Sequence, residues 1–380
     1  MKKELLDAAG GFNPKFDGAQ DYDLVLRVSE SARKIHHIPR CLYFWRASET
    51  SSSADPEKKA HADARGKAAL EETLKRRGIK GDVLKGNQRF FYRVLRKIEH
   101  RPLVSILIPF RDSADHLERC LDAVFQKTRY DPFEVIGINN GSRREETLAL
   151  MERFASADPL VRFVDCDMAF NYSRLNNVGV SMASGEHLIL MNDDVEVMNF
   201  DWIEALLEHS HRDEVGAVGG KLYYPDGSIQ HAGIVLGIKG FAGHPHRGLA
   251  GDSQGYYNRL MCIQNVSAVT GALMMVKKRF YQEAGGLDEE NLSIALNDVD
   301  FCLKLMTKGL FNVWTPFCQA IHHESASRGY EADPEKEMRF IKEIDYFKAK
   351  WKVLLEKGDP FYNPNLTLDK EDVSPKIPVL

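Results

Sequence analysis

Between residues 104 and 191 short apolar runs alternate with stretches of helical periodicity, and few architectures accept that pattern. The runs VSILIPF (104–110), FEVIGINN (133–140), LVRFVDC (160–166) and HLILM (187–191) are dense in aliphatic residues. Such runs suit strands covered on both faces. Between them, Ala114–Lys127, Glu145–Ala157 and Ser173–Ala183 repeat apolar residues at helical spacing. Strand and helix in strict turn imply a doubly wound α/β fold on a parallel sheet. After Asp194 the pattern loosens into mixed strands at Val215–Leu222 and Ile229–Leu236, then the apolar run Ala272–Val276.

A repeat organises the rest of the chain. GGFNPKFDGAQDYDLVLRVSE starts at Gly10, and GGLDEENLSIALNDVDFCLK starts at Gly285. In each, a Gly-Gly turn leads to an Asp-x-Asp helix start, Asp21/Asp23 and Asp298/Asp300, with a proline sixteen residues after the second aspartate, Pro39 and Pro316. Only the second copy follows a long α/β run. Residues 1–80 therefore read as the C-terminal remnant of an upstream domain of the same kind, 81–100 as a linker, 101–330 as a complete domain and 331–380 as a C-terminal helix and tail. Asp55–Arg77 reads as a solvated helix. The first copy's helix carries an apolar face at Leu24, Val25 and Val28, which is expected to bury itself against the complete domain or a second copy of the chain. That makes a homo-oligomer one expected arrangement.

Composition removes several classes. The 51 basic and 55 acidic residues leave a formal net charge of −4, unlike the basic face of a nucleic-acid binder. The longest apolar runs are far too short to cross a bilayer, and no apolar stretch follows the basic residues at the start, so no signal peptide is expected. Six scattered cysteines without CxxC spacing fit reduced thiols. The expected location is the cytoplasm, with peripheral docking at the inner membrane face left open.

In an open α/β sheet, ligands sit beyond the carboxyl ends of the strands. Arg111-Asp112, Asn139-Asn140-Gly141-Ser142 and Asn192-Asp193-Asp194 fall there. Each alone reads as well as a turn or a solvated loop; together they suggest a site. The adjacent carboxylates Asp193 and Asp194 repel unless a cation lies between or beside them. A hard ion such as Mg²⁺ or Mn²⁺ on few carboxylates keeps positions free for phosphate oxygens. Asp298, at a helix start, suits a general base, although Asn297 or Asp298 could equally cap the helix. One of His322-His323 could add a nitrogen ligand. His244-Pro245-His246 reads as loop.

The ordered set PFRD (109–112), NNGS (139–142), RLNNVGVSMASGEHLILMNDDVEV (174–197), TGALMMV (270–276), GGLDEE (285–290), NDVDFCLK (297–304) and HHESASRG (322–329) resembles family two glycosyltransferases of the GT-A fold. It is similar in particular to bacterial, rhamnosyltransferase-like enzymes that build O-antigen and other cell-surface polysaccharides. The resemblance implies an inverting transferase that moves a sugar from a nucleoside diphosphate, dTDP- or UDP-linked, to a saccharide acceptor, free or lipid-linked. It further implies Asp194 and His322 as metal ligands for Mg²⁺ or Mn²⁺ and Asp298 as base. Pro109, Arg111, Asp112, Asn139, Asn140, Ser142, Arg174, Asn176, Asn177 and Asp193 would face the donor, and Thr270, Gly271 and Asn297 the acceptor side. The chain departs from the family pattern at Asn139-Asn140, where acidic residues are common, at Asn192, which lowers the metal-site charge by one, and at Asn297, which replaces a glutamate. In the first copy Trp45 and Arg46 stand where His322 and His323 stand, so that copy is expected to be inert. Two other readings remain: a nucleotidyltransferase, against which PFRDSADHL offers no Gly-rich basic loop, and a degenerate carbohydrate-binding scaffold.

Overall fold

Seven buried residues, Val104–Phe110, show why the chain folds around this strand: a run without a polar face can only lie inside a sheet covered on both sides. A computed structural model describes residues 1–40, 42–43, 56–324 and 334–376, the side chains of 56–58 excepted. Trp45 and Arg46 lie outside the described residues. The chain divides into two compact units, residues 1–97 and 98–380.

The first unit holds helices α1 (Lys3–Ala8), α2 (Gln20–Ser31) and α3 (Pro56–Arg76) and an antiparallel hairpin of β1 (Gly81–Lys85) and β2 (Tyr92–Arg96). The expected linker is thus largely a hairpin: Val83 and its neighbours find a partner strand, which satisfies backbone groups an open connector would leave to water. Leu24 and Val28 are buried while Val25 is 57% exposed. α2 packs on α3 within its own unit, which covers Leu24 and Val28 and leaves Val25 exposed. Correspondingly α3 is not solvated all round, since Ala69, Thr73 and Leu74 are buried.

The second unit runs β3 (Val104–Phe110), α4 (Ala114–Lys127), β4 (Phe133–Asn139), α5 (Glu145–Ala157), β5 (Val161–Asp165), α6 (Tyr172–Met182), β6 (His187–Met191), β7 (Val195–Val197), α7 (Trp202–Ser210), β8 (Val215–Tyr223), β9 (Ile229–His231), β10 (Val235–Leu236), β11 (Ala242–Gly243), β12 (Gln264–Val266), β13 (Leu273–Lys277), α8 (Lys278–Glu283), α9 (Asn297–Thr307), β14 (Phe311–His322), α10 (Pro334–Lys350) and α11 (Lys352–Lys357). The main sheet has the order β12-β14-β8-β13-β6-β3-β4-β5. Strands β6, β3, β4 and β5 are parallel, as expected, but β13 runs antiparallel between β6 and β8. The sheet is therefore mixed rather than wholly parallel. The expected strand 229–236 is broken in two because Gly233 takes φ 91°, a left-handed bend that ends pairing.

Alternation along β3 sends Ile106 and Ile108 to one core, with Leu117 and Leu121 of α4 and Trp202 of α7, and Leu107 to the other, with Leu175 of α6 and Phe301 and Leu305 of α9. Residues 334–376 belong to this unit as well: Phe347 is fully buried in the second core. Asp300, also fully buried, accepts from Trp351 Nε1 at 2.8 Å and pairs with Lys350 at 2.7 Å. No helix among the described residues is long and apolar enough to cross a membrane.

The Gly-Gly repeat has a local structural counterpart. Gly10/Gly11 and Gly285/Gly286 all lie at positive φ. Arg27, paired with Asp23, donates to the Gly11 carbonyl at 2.9 Å, and Lys304, paired with Asp300, donates to the Gly286 carbonyl at 2.5 Å. Each helix thus grips its own glycine turn through a cation four residues after a buried aspartate.

Removing one member of the Asp300 cluster strands its lysines, so Asp300→Ala is expected to lower unfolding free energy by about 3 kcal/mol. Urea unfolding followed by circular dichroism measures it; a loss within error would mean the cluster contributes nothing to the fold.

Candidate functional site

Two backbone pairings assemble the site. At the end of β6, Asn192 N–H donates to the Ala272 carbonyl at 3.1 Å, just before β13 begins, where Leu273 pairs with Met191. At the end of β14, His322 pairs with Val195 of β7, and His323 N–H donates to the Asp194 carbonyl at 3.0 Å. The turn Asn192–Asp194 therefore has residues 270–272 on one side and His322 on the other.

On the His322 side, Asp194 Oδ1 and His322 Nε2 stand 3.1 Å apart, both side chains nearly buried. Adjacent ligands of an octahedral ion with bonds of ~2.1 Å lie roughly 3 Å apart, so the pair fits one divalent cation. Asn192 Nδ2 is 3.3 Å from the same ring nitrogen, and Asn192 Oδ1 is buried without a hydrogen-bond partner. No group of three or more His, Cys, Asp or Glu suited to a metal occurs among the described residues, so a cation held here would keep most positions for ligands from outside the chain. Asp193 turns elsewhere, accepting from the Ser113 hydroxyl.

On the other side, Asp298 is half-buried at the first turn of α9. Its carboxylate accepts from Gly271 N–H at 2.9 Å and Val299 N–H at 2.8 Å. Loss of water around it raises its pKa, and those amide bonds together with the Thr270 hydroxyl only partly offset this. Tyr172 of α6 donates to the Gly271 carbonyl at 2.9 Å, pinning the turn that holds Asp298. The preceding loop is held by Glu343 of α10, whose buried carboxylate accepts from Ser293 Oγ and the amides of Ile294 and Ala295 at 2.7–3.1 Å. It ends in Leu296 at φ 59°, a left-handed conformation costly for a leucine and retained beside Asp298.

Several residues expected to face the donor or the acceptor are bonded within the protein itself. Pro109 is buried inside β3, paired with Ile138, and not in the loop. Asp112 Oδ1 accepts from the amides of Arg143 and Arg144 at 2.7 and 2.9 Å, bonds that lower its pKa and clamp two loops together. Asn140 donates to the carbonyls of Cys166 and Met168, and Asn176 to that of Tyr172 within its own helix; both are fully buried. Asn177 donates to the Leu287 carbonyl and Glu289 and accepts from Tyr281 and Leu287 N–H. Asn297 is buried and bonds the Ile294 carbonyl. An amide both donates and accepts, so a chain can spend it on backbone groups as readily as on a ligand. Arg111 and Arg174 are exposed at the strand-end side, whereas Asn139 and Ser142 are buried, Asn139 accepting from Ser142 N–H at 2.9 Å and donating through Nδ2 to the exposed Asp165 at 2.8 Å.

Three residues escaped the sequence reading. Gln230 Oε1 lies 2.7 Å from His322 Nδ1. His231 Nε2 accepts from Thr270 N–H at 3.4 Å while its Nδ1 lies 3.0 Å from His244 Nδ1. Burial lowers the pKa of both imidazoles, that of His244 to about 4, and His244 lies in the loop that follows β11, as expected. Glu343 is the third. Only the polar pair Gln230-His231 amid apolar neighbours could have flagged the first two.

Residues 105–283 match the family described as glycosyl transferase family 2. The chain is 45% identical, over 97% of its length, to the uncharacterized protein y4gI of Sinorhizobium fredii, and 38% identical, over 98%, to the O-antigen biosynthesis protein RfbC of Myxococcus xanthus. It spans 41% and 28% of those proteins. Among solved structures, the mannosyltransferase PcManGT of Pyrobaculum calidifontis, in complex with GDP-Man and Mn²⁺, matches 80% of this chain and 77% of its own at 18% identity and a TM-score of 0.50. GalNAc-T7 with UDP, GalNAc and Mn²⁺ matches 67% and 50% at 17% identity and a TM-score of 0.54. The fold is GT-A.

If Asn177 is a structural tie, Asn177→Ala should cost about 1–3 kcal/mol and speed amide exchange across 285–289. Hydrogen–deuterium exchange mass spectrometry reads this directly; unchanged protection there would mean that the bonds of Asn177 do not hold the 285–289 turn.

Proposed function

Residues 105–283 belong to glycosyl transferase family 2, and on that premise we propose that the chain transfers a sugar, with inversion, from a nucleoside diphosphate to a saccharide acceptor in cell-surface polysaccharide assembly. The observation that carries the reading is the convergence of Asp194, His322 and Asp298 on one strand-end turn, the first two as a cation-binding pair, the third as a half-buried carboxylate with a raised pKa. Asp194 and His322 would hold Mg²⁺ or Mn²⁺. The bound ion offsets the negative charge that grows on the diphosphate as the sugar leaves. Asp298 takes the proton of the acceptor hydroxyl while that oxygen attacks the anomeric carbon from the face opposite the diphosphate. A carboxylate with a raised pKa is a stronger base than an exposed one. The amides of Gly271 and Val299 fix its two oxygens, so its direction is set before the acceptor arrives.

For the donor we propose a pyrimidine base, dTDP or UDP, with rhamnose among the sugars considered. The uncharged Asn139 and Ser142 at the end of β4, with the exposed Asp165 bonded to Asn139, are the groups that would read it. The acceptor is a saccharide, free or lipid-linked, approaching over Thr270 and Gly271. A degenerate carbohydrate-binding scaffold is disfavoured by the retained Asp194–His322 pair. The first unit we read as a chemically inert relative of the second unit's acceptor half. Its Asp21, equivalent to Asp298, is exposed and bonds only the amide of Tyr22 among the contacts described.

Asp298→Asn should keep donor affinity and lower transfer about a hundredfold or more. In the parent protein kcat/KM should fall as pH drops through a pKa above the ordinary 3.8, because the base works only ionised and burial favours its protonated form. Retained turnover in the variant would make Asp298 a helix cap. Isothermal titration should show UDP or dTDP binding tighter than GDP, and weaker by tenfold or more once a chelator is present; affinity indifferent to chelator would remove the metal from the account. Asp21→Asn should leave steady-state turnover unchanged, and a large loss with the protein still folded would overturn the inert reading of the first unit.

A further inference from the structure

Gln230 takes no part in the transfer proposed above, yet it is 5% exposed and sits on β9 against the ring of His322. The direction of its amide is fixed by its own partners. Nε2 faces the His322 carbonyl at 3.3 Å and Glu324 Oε2 at 3.1 Å, both acceptors. The atom 2.7 Å from His322 Nδ1 is therefore the amide oxygen, Oε1. An amide oxygen carries no hydrogen, so this bond forms only when Nδ1 holds the ring proton. A neutral imidazole has one such proton. Its Nε2 then presents a lone pair to the space shared with Asp194 Oδ1, 3.1 Å away, and Asn192 Nδ2, 3.3 Å away.

We propose that Gln230 is a positioning residue that locks His322 in the Nδ1–H tautomer and so makes Nε2, together with Asp194, a ligand for the divalent cation. The inference rests on the metal reading given above. Its physical basis is the asymmetry of the two nitrogens. Without an acceptor at Nδ1, the proton moves to Nε2, where Asp194 Oδ1 is the nearest acceptor. That single shift fills the lone pair the cation needs and engages the carboxylate at the same time. Burial strengthens the effect, because water is not at hand to replace the lost acceptor. Partners of this kind behind a metal-bound histidine typically change metal affinity ten- to a hundredfold.

The test uses the full chain and two readouts. Long-range proton–nitrogen correlation spectra of the metal-free protein report which ring nitrogen of His322 is protonated. Electron paramagnetic resonance of free Mn²⁺, titrated with protein in the presence of UDP, reports affinity. In the parent, His322 should carry its hydrogen on Nδ1. Gln230→Leu, close in size, should move the hydrogen to Nε2 and weaken Mn²⁺ binding ten- to a hundredfold with an unchanged circular dichroism spectrum. The double variant Q230E/E324Q keeps an acceptor toward Nδ1 and a bonded pair with residue 324, and should restore both readouts to within about threefold of the parent. Hydrogen on Nε2 in the parent overturns the proposal. So does parental Mn²⁺ affinity in Gln230→Leu when His322→Ala has lost it, and in that case the metal reading survives. If His322→Ala itself binds Mn²⁺ like the parent, the metal reading fails and the proposal falls with it.

Discussion

The antiparallel pairing of β13 against β6 is the constraint on which the site depends. A wholly parallel sheet would bring only strand ends of one sense to the turn after β6. With β13 reversed, its start lies beside the end of β6, so residues 270–272 meet Asn192–Asp194 through the Asn192–Ala272 bond. Gly271 then presents its amide to Asp298, and β14, pairing with β7, delivers His322 to Asp194. A one-residue slip in either pairing would turn these side chains to the opposite face. Both registers are secured by core: Met191 and Leu273 are fully buried, as are Val195 and Ala320.

Buried polar groups do the rest. The helix start Asn297-Asp298-Val299-Asp300 sends Asp298 toward the turn and Asp300 into the core, where Trp351 and Lys350 meet it. Glu343 holds the preceding loop by three hydrogen bonds, so the left-handed Leu296 keeps its conformation. The segment after residue 330 is thus part of what aims the candidate base. The same inward aspartate, with a cation four residues on that grips a glycine turn, recurs at Asp23 and Arg27, and this supports reading the first unit as a relative of the second's acceptor half.

The parallel half was legible because its strands are covered on both faces and its helices on one, so hydrophobic periodicity carried the boundaries of α4, α5 and β6 to the residue. Beyond Asp194 the apolar runs still marked β8 and β13 to within a residue, whereas β9, β10 and β11 are only two or three residues long and give periodicity nothing to act on. In the site, Asp194, His322 and Asp298 stood out as charged or titratable residues at element ends. The asparagines are less plain: Asn140, Asn176, Asn177 and Asn297 read as ligand groups in one dimension, and in three they bond groups of the protein itself. Sequence gives the side chain's chemistry but not the direction in which the fold points it. Gln230 and His231 were hidden for the same reason, being adjacent residues of a three-residue strand whose partners lie dozens of positions away.

The central claim is that the cation pair and the base turn form one site. Paramagnetic broadening by Mn²⁺ in the presence of UDP tests it most directly. Assigned amide signals of Asn192, Gly271, Ala272 and His322 should broaden together at substoichiometric Mn²⁺. Broadening at Asn192 and His322 that leaves Gly271 and Ala272 untouched, or that centres elsewhere in the chain, would contradict the account.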